Sequence, residues 1–151
     1  MRHAATEGTP GDPAGYRLDD CATQRNLSDA GRADAKRVGQ RLAAEHVPIA
    51  RVYTSPWCRC RETARLAFDR SEDWEPLGSF FDAPEREAEY TNRVKTRIGR
   101  YSSRELGGNV VMVTHNVNIA SLTKLSVAPA EIVVLRPDGC CGYKVAGRMK
   151  L

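Results

Sequence analysis

The sequence predicts an α/β sandwich built around a largely parallel sheet. Three observations carry this expectation. Apolar patterns of helical and of strand period alternate along the chain. Val110-Val111-Met112-Val113 is a continuous apolar run of the kind found in a strand covered on both faces. No internal repeat or low-complexity stretch interrupts the alternation. At 151 residues the chain fits one domain, residues 1–151, long enough to bury roughly two-thirds of its unfolded surface.

Residues 8–16, with Gly8, Pro10, Gly11, Pro13 and Gly15, read as a long loop. Ser28 then stands as an N-cap, Asp29 suits the positive end of a helix dipole, and Ala35, Val38 and Leu42 recur at helical spacing. Arg51 to Ser55 is a short strand stopped by Pro56. A second helix runs to about Phe68, with Cys60, Ala64, Ala67 and Phe68 on one face. Leu77 to Phe81 reads as a weaker strand. Pro84 opens a third helix whose stripe is Tyr90, Val94, Ile98 and Tyr101, and Gly107-Gly108 ends it. Asn109 to Thr114 is the covered strand, followed by a helix from about Val117 to Leu125. Glu131 to Leu135 is a further strand, and Pro137-Asp138-Gly139 turns the chain into a last one near Tyr143 to Ala146.

Composition narrows the function classes. Apolar residues make up 41% and charged residues 28%, which is ordinary for a globular protein and argues against long disorder. No stretch approaches the ~20 apolar residues of a membrane-spanning helix, so no membrane role is expected. The 23 Lys and Arg against 19 Asp and Glu give a charge of +4, but acids interleave the bases, as at Arg17 with Asp19 and Asp20. This is a mixed solvated surface rather than a nucleic-acid groove. A few arginines holding a small anion also fit the excess. The cysteines, Cys21, Cys58, Cys60, Cys140 and Cys141, are odd in number and include an adjacent pair, unlike a secreted disulfide framework. They are read as mostly reduced and the compartment as cytoplasmic, with a Cys21–Cys58 bridge left open. Cys58-x-Cys60 is tighter than zinc-ligand spacing, and no metal site is expected.

In parallel sheets ligands bind beyond the carboxyl ends of the strands. Three clusters lie where strands end: Met1-Arg2-His3-Ala4, Ser55-Pro56-Trp57-Cys58-Arg59 and Thr114-His115-Asn116. Two histidines and two arginines converging there would hold a dianionic phosphoryl group. The arginines would grip its oxygens by forked, charge-assisted hydrogen bonds. One imidazole could attack phosphorus while the other donates to the charge that builds on the transferring group.

These motifs resemble those of the histidine phosphatase (phosphoglycerate-mutase-like) superfamily. Arg2-His3-Ala4 is similar to its Arg-His-Gly signature, and Ser55-Pro56-Trp57-Cys58-Arg59-Cys60-Arg61-Glu62-Thr63-Ala64 to its Ser-Pro-x-x-Arg-x-x-x-Thr-Ala segment. Val113-Thr114-His115 resembles its late Val-Thr-His segment, and Leu27-Ser28-Asp29-Ala30-Gly31 its Leu-Thr/Ser-x-x-Gly helix start. The resemblance implies a three-layer α/β/α sandwich and a phosphoric monoester hydrolase of histidine acid phosphatase type, acting on a small phosphorylated substrate without metal or other cofactor. His3 would become phosphohistidine, Arg2 and Arg59 would bind phosphate, and His115 would be the second imidazole. Arg25-Asn26-Leu27-Ser28 and Phe80-Phe81 look closest to bacterial phosphatases of the kind that includes lipopolysaccharide heptose-phosphate phosphatases. A protein phosphohistidine phosphatase and a non-catalytic phosphate-binding protein are the alternatives.

Two departures from the family pattern shape the expectations. Only Met1 precedes Arg2, so the first central strand is missing or truncated, and a natural start upstream of Met1 is expected. In the middle segment Leu77-Gly78-Ser79 has Ser79 where many members carry an acid. The proton donor is therefore open among Asp82, Glu85 and Glu131.

Overall fold

The computed structural model describes residues 1–101, 107–138 and 142–150. Ser28 caps α1 (Asp29–Ala44) by accepting from the Gly31 N–H, with Asp29 in the first turn. The stripe Ala35, Val38 and Leu42 packs on Cys60, Ala64 and Phe68 of α2 (Cys58–Phe68). Beneath both lie Val52 of β1 (Ile49–Thr54) and Val111 and Val113 of β3 (Asn109–Val113). On the opposite face, Tyr53, Val110 and Met112 pack with Val94 and Ile98 of α3 (Glu87–Gly99) and Leu122 of α4 (Asn116–Thr123). Successive strand residues point to opposite faces. Val52 and Tyr53, like Val111 and Met112, are thus divided between two cores, which makes the three-layer sandwich.

β1 pairs in parallel with β2 (Glu72–Asp73) on one side and with β3 on the other. β4 (Ile132–Pro137) and β5 (Tyr143–Met149) form an antiparallel pair. Between the edge of β3 and the start of β4 lie Met1 to His3. The Met1 nitrogen donates to the Met112 carbonyl at 2.9 Å, and the Met1 carbonyl accepts from Thr114 at 2.9 Å. His3 N–H donates to Thr114 on that side, while Arg2 N–H donates to Glu131 on the other. Met1 to His3 thus form a stub of central strand that pairs on both sides.

Two sequence expectations are corrected. Leu77 to Phe81 is not a strand: Pro76 sits in a 3-10 turn, Glu75–Leu77, closed by Gly78 N–H on the Glu75 carbonyl. Pro76 has no N–H for a ladder, and the carbonyls of Leu77 and Gly78 are taken by Thr114 Oγ1 and Asn118 Nδ2 instead. The third helix ends at Gly99 rather than at Gly107-Gly108, and it is preceded by a 3-10 turn, Pro84–Arg86. Gly139, Cys140 and Cys141 lie outside the described residues.

Candidate active site

The carboxyl ends of the stub, β1 and β3 converge, as parallel-sheet geometry requires. His3 ends the stub, Ser55 and Arg59 follow β1, and His115 occupies the N-cap position of α4. The His3 and His115 rings meet edge-on with centroids 5.3 Å apart, and the Trp57 ring stands 5.4 Å from His115. His3, Ser55, Arg59 and His115 are all buried.

Hydrogen bonds orient both imidazoles. His3 Nδ1 lies 2.8 Å from the Ala4 carbonyl, which can only accept, so Nδ1 carries the proton and the Nε2 lone pair is free. His115 Nε2 is 2.8 Å from Ser55 Oγ, whose oxygen also accepts the Trp57 N–H. His115 Nδ1 is 3.5 Å from Arg59 Nη2, which can only donate, so Nδ1 accepts and the ring proton sits on Nε2, donated to Ser55 Oγ. Burial, reinforced by nearby guanidinium charge, pushes the His3 pKa down to about 3. Burial, then the neighbouring His3 and the arginines, also pushes His115 well below its ordinary value. Both rings are therefore neutral at neutral pH.

Three arginines surround the imidazoles. Arg59 projects from the first turn of α2. Arg2 is anchored by Nη1 on the Val127 carbonyl at 2.6 Å. Arg25, which the sequence reading left out of the site, is anchored by Nη1 on Thr6 Oγ1 at 2.6 Å. Its charge is felt at both His3 and His115. The Nε atoms of all three are buried without a protein partner. Buried donors are normally satisfied, so these three mark a place for an anion. Asp12 faces Arg59 with a bidentate pair, 2.7 Å to Nη1 and 3.0 Å to Nη2.

The motif spacings have local causes. Thr63 is one turn beyond Arg59 on α2, and its hydroxyl both donates to the Arg59 carbonyl and accepts the Ala4 N–H. It thereby ties the phosphate-facing helix to the residue after His3. Gly31 is required by contact: a Cβ there would stand 2.0 Å from the Ala5 carbonyl oxygen. That approach brings Ser28 N–H onto the same carbonyl and holds α1 against the chain leaving His3.

A family model described as the histidine phosphatase superfamily (branch 1) matches residues 1–80, just over half of the chain. The chain belongs to the histidine phosphatase superfamily. Solved structures of low identity share its fold. The protein histidine phosphatase SixA, complexed with tungstate, is 17% identical with a TM-score of 0.64, covering 99% of this chain and 93% of its own. The phosphoserine phosphatase of Entamoeba histolytica, in complex with 3-phosphoglyceric acid, is 14% identical with a TM-score of 0.65, covering 99% and 94%. A mycobacterial glucosyl-3-phosphoglycerate phosphatase is 17% identical with a TM-score of 0.66, covering 96% and 94%. No curated protein matches the sequence.

In this histidine phosphatase the carboxylates considered as proton donors lie in different settings. Glu131 is buried, with Oε1 2.6 Å from Arg148 Nε and Oε2 accepting the Ala128 N–H. The Arg148 bond holds its carboxyl below the ordinary range, and the pair secures β5 against the 126–131 turn. Asp82 and Glu85 are exposed, and the charge of Asp82 reaches the Tyr16 hydroxyl. Ser79 Oγ accepts the Phe81 N–H. The structure joins Cys21 to Cys58, the bridge left open by the sequence. Cys60 is free and buried, its thiol pushed up to about 12 by burial, so it is no thiolate beside His115. Among the described residues no group of three or more His, Cys, Asp or Glu could hold a metal, and no helix is long and apolar enough to cross a membrane.

Proposed function

We propose that this histidine phosphatase hydrolyses phosphate monoesters of a small phosphorylated metabolite or sugar phosphate through a phosphohistidine on His3. The orientation of His3 carries the reading. Its proton is committed to Ala4, its ring is neutral, and Nε2 is free beside three arginines. Nε2 attacks phosphorus, forming the N–P bond as the P–O bond to the leaving group breaks. Arg2, Arg25 and Arg59 bind the equatorial oxygens, and His115, held by Ser55, stands beside Arg59 as the second imidazole of the pocket. The leaving oxygen takes a proton from an acid, for which the exposed Asp82 and Glu85 are the candidates, and water then attacks the phosphohistidine to release phosphate.

One observation favours a second reading, a protein phosphohistidine phosphatase. The carboxylate paired to the arginines is Asp12, whose own burial would raise its pKa but whose hydrogen bonds from Arg59, Arg25 and Trp57 hold it down. It is a poor acid at neutral pH. A protonated phosphoimidazole is a good leaving group and asks less of an acid than an alkoxide does.

Steady-state turnover tests the reading. p-Nitrophenyl phosphate should be hydrolysed by the wild type, with the rate falling by several decades in His3→Ala. Turnover of sugar phosphates supports the metabolite reading. Turnover confined to a phosphohistidine protein supports the second. Phosphate binding without turnover of any of them leaves only a binding protein.

A further inference from the structure

All four terminal N–H groups of Arg59 are already engaged. Nη1 faces Asp12 Oδ1 at 2.7 Å and the Arg25 carbonyl at 3.5 Å, while Nη2 faces Asp12 Oδ2 at 3.0 Å and His115 Nδ1 at 3.5 Å. The Asp12 carboxylate also accepts the Arg25 N–H at 3.0 Å and the Trp57 indole N–H at 3.1 Å. It therefore collects four donors, and both side chains of the pair are only 3% exposed. A built oxyanion cradle holds an anion from its own chain.

We propose that Asp12 is a resident competitor in the phosphate cradle, displaced by the incoming phosphoryl group and setting how tightly every oxyanion ligand binds. This rests on the phosphatase reading of the same pocket. A carboxylate offers two oxygens, whereas a phosphoryl group offers three and carries more charge. The buried Nε donors of Arg2, Arg25 and Arg59 remain unsatisfied with Asp12 in place. A phosphoryl group therefore gains contacts that Asp12 cannot supply, which gives the exchange its direction. The chain on either side of Asp12 lies at the surface. Residues 7–10 and 13–15 are exposed, and Gly11, with φ +101°, sets the turn immediately before Asp12. A closed state that excludes ligand lowers every apparent affinity by the same factor, whatever the ligand.

Calorimetric titration of inorganic phosphate and of tungstate into the wild type, Asp12→Asn and Asp12→Ala tests this. Both oxyanions should bind the variants more tightly, by a common factor of about tenfold or more. With a phosphoester substrate, KM should fall by a similar factor. Equal or weaker oxyanion binding by the variants overturns the proposal, because Asp12 would then be holding Arg59 in place. If the variants do not fold, Trp57 reports on the intact carboxylate in a Trp74→Phe background. Saturating phosphate should change its emission as its indole loses Asp12, and an unchanged emission with phosphate bound overturns the displacement. Tightened oxyanion binding in a protein that turns over no phosphoester would sink the hydrolase reading while sustaining this one.

Discussion

Ser55 Oγ lies 2.8 Å from His115 Nε2, deep in the pocket, and selects which nitrogen of that ring faces the arginines. Ser55→Ala removes the oxygen that accepts the buried Nε2–H and leaves that nitrogen only the Cys60 sulfur at 3.5 Å. In p-nitrophenyl phosphate assays kcat should fall about tenfold, or 1.4 kcal/mol, with little change in KM. A loss confined to KM would show that Ser55 serves binding instead.

The arginine assignment is tested by a pair of conservative changes. Arg59→Lys keeps the charge but loses the fork, so kcat/KM should fall by about 1–3 kcal/mol. Arg61 points outward, pairs with Asp73 and is 42% exposed, so Arg61→Lys should change kcat/KM by less than about twofold. Equal losses would mean that the wrong arginine of α2 has been placed in the pocket.

Much of this site is legible in the sequence because parallel sheets put ligands after strand ends. Ser55 to Arg59 and His115 follow runs with strand period, and Arg59 and Thr63 are spaced by one helical turn. The helix stripes Ala35, Val38, Leu42 and Tyr90, Val94, Ile98 were readable for the same reason: periodicity reports burial. Leu77 to Phe81 misleads because apolar content alone does not distinguish a strand from a buried turn, and the Pro76 effect depends on which carbonyls the core consumes. Arg25 and Asp12 belong to irregular chain between His3 and α1. No period places their side chains, and only the tertiary path over α2 brings them to Arg59.

Acid should destabilise the fold. The unfolded chain protonates histidine near pH 6.5, whereas buried His3 resists protonation down to about pH 3. Within that window the unfolded state binds the extra proton, so stability is present above pH 6.5 and is lost as pH falls through the window. The slope is about 1.4 kcal/mol per pH unit for one such group, and His115 and the depressed Asp12 carboxyl act in the same direction. Thermal melts between about pH 7.5 and 4.5 should show a falling Tm with a shallower slope in His3→Asn. A flat profile would contradict neutral, buried imidazoles.

Gly31 supports the site from behind. Gly31→Ala forces a methyl group onto the Ala5 carbonyl and should cost about 1–3 kcal/mol or more, lowering Tm and activity together. At Gly147 a Cβ meets nothing within 4 Å, so Gly147→Ala should stay within about 0.5 kcal/mol. Similar melting curves for the two variants would refute the close approach of α1 to the chain after His3.

The central claim is that His3 Nε2 forms a bond to phosphorus. Rapid quench of the wild type with a 32P-labelled phosphoester, followed by peptide mapping, tests it most directly. An acid-labile, base-stable label should appear on the peptide carrying His3, absent from His3→Ala and discharged by water in the wild type. A label of undiminished size in His3→Ala, or turnover in that variant at the wild-type rate, would contradict it.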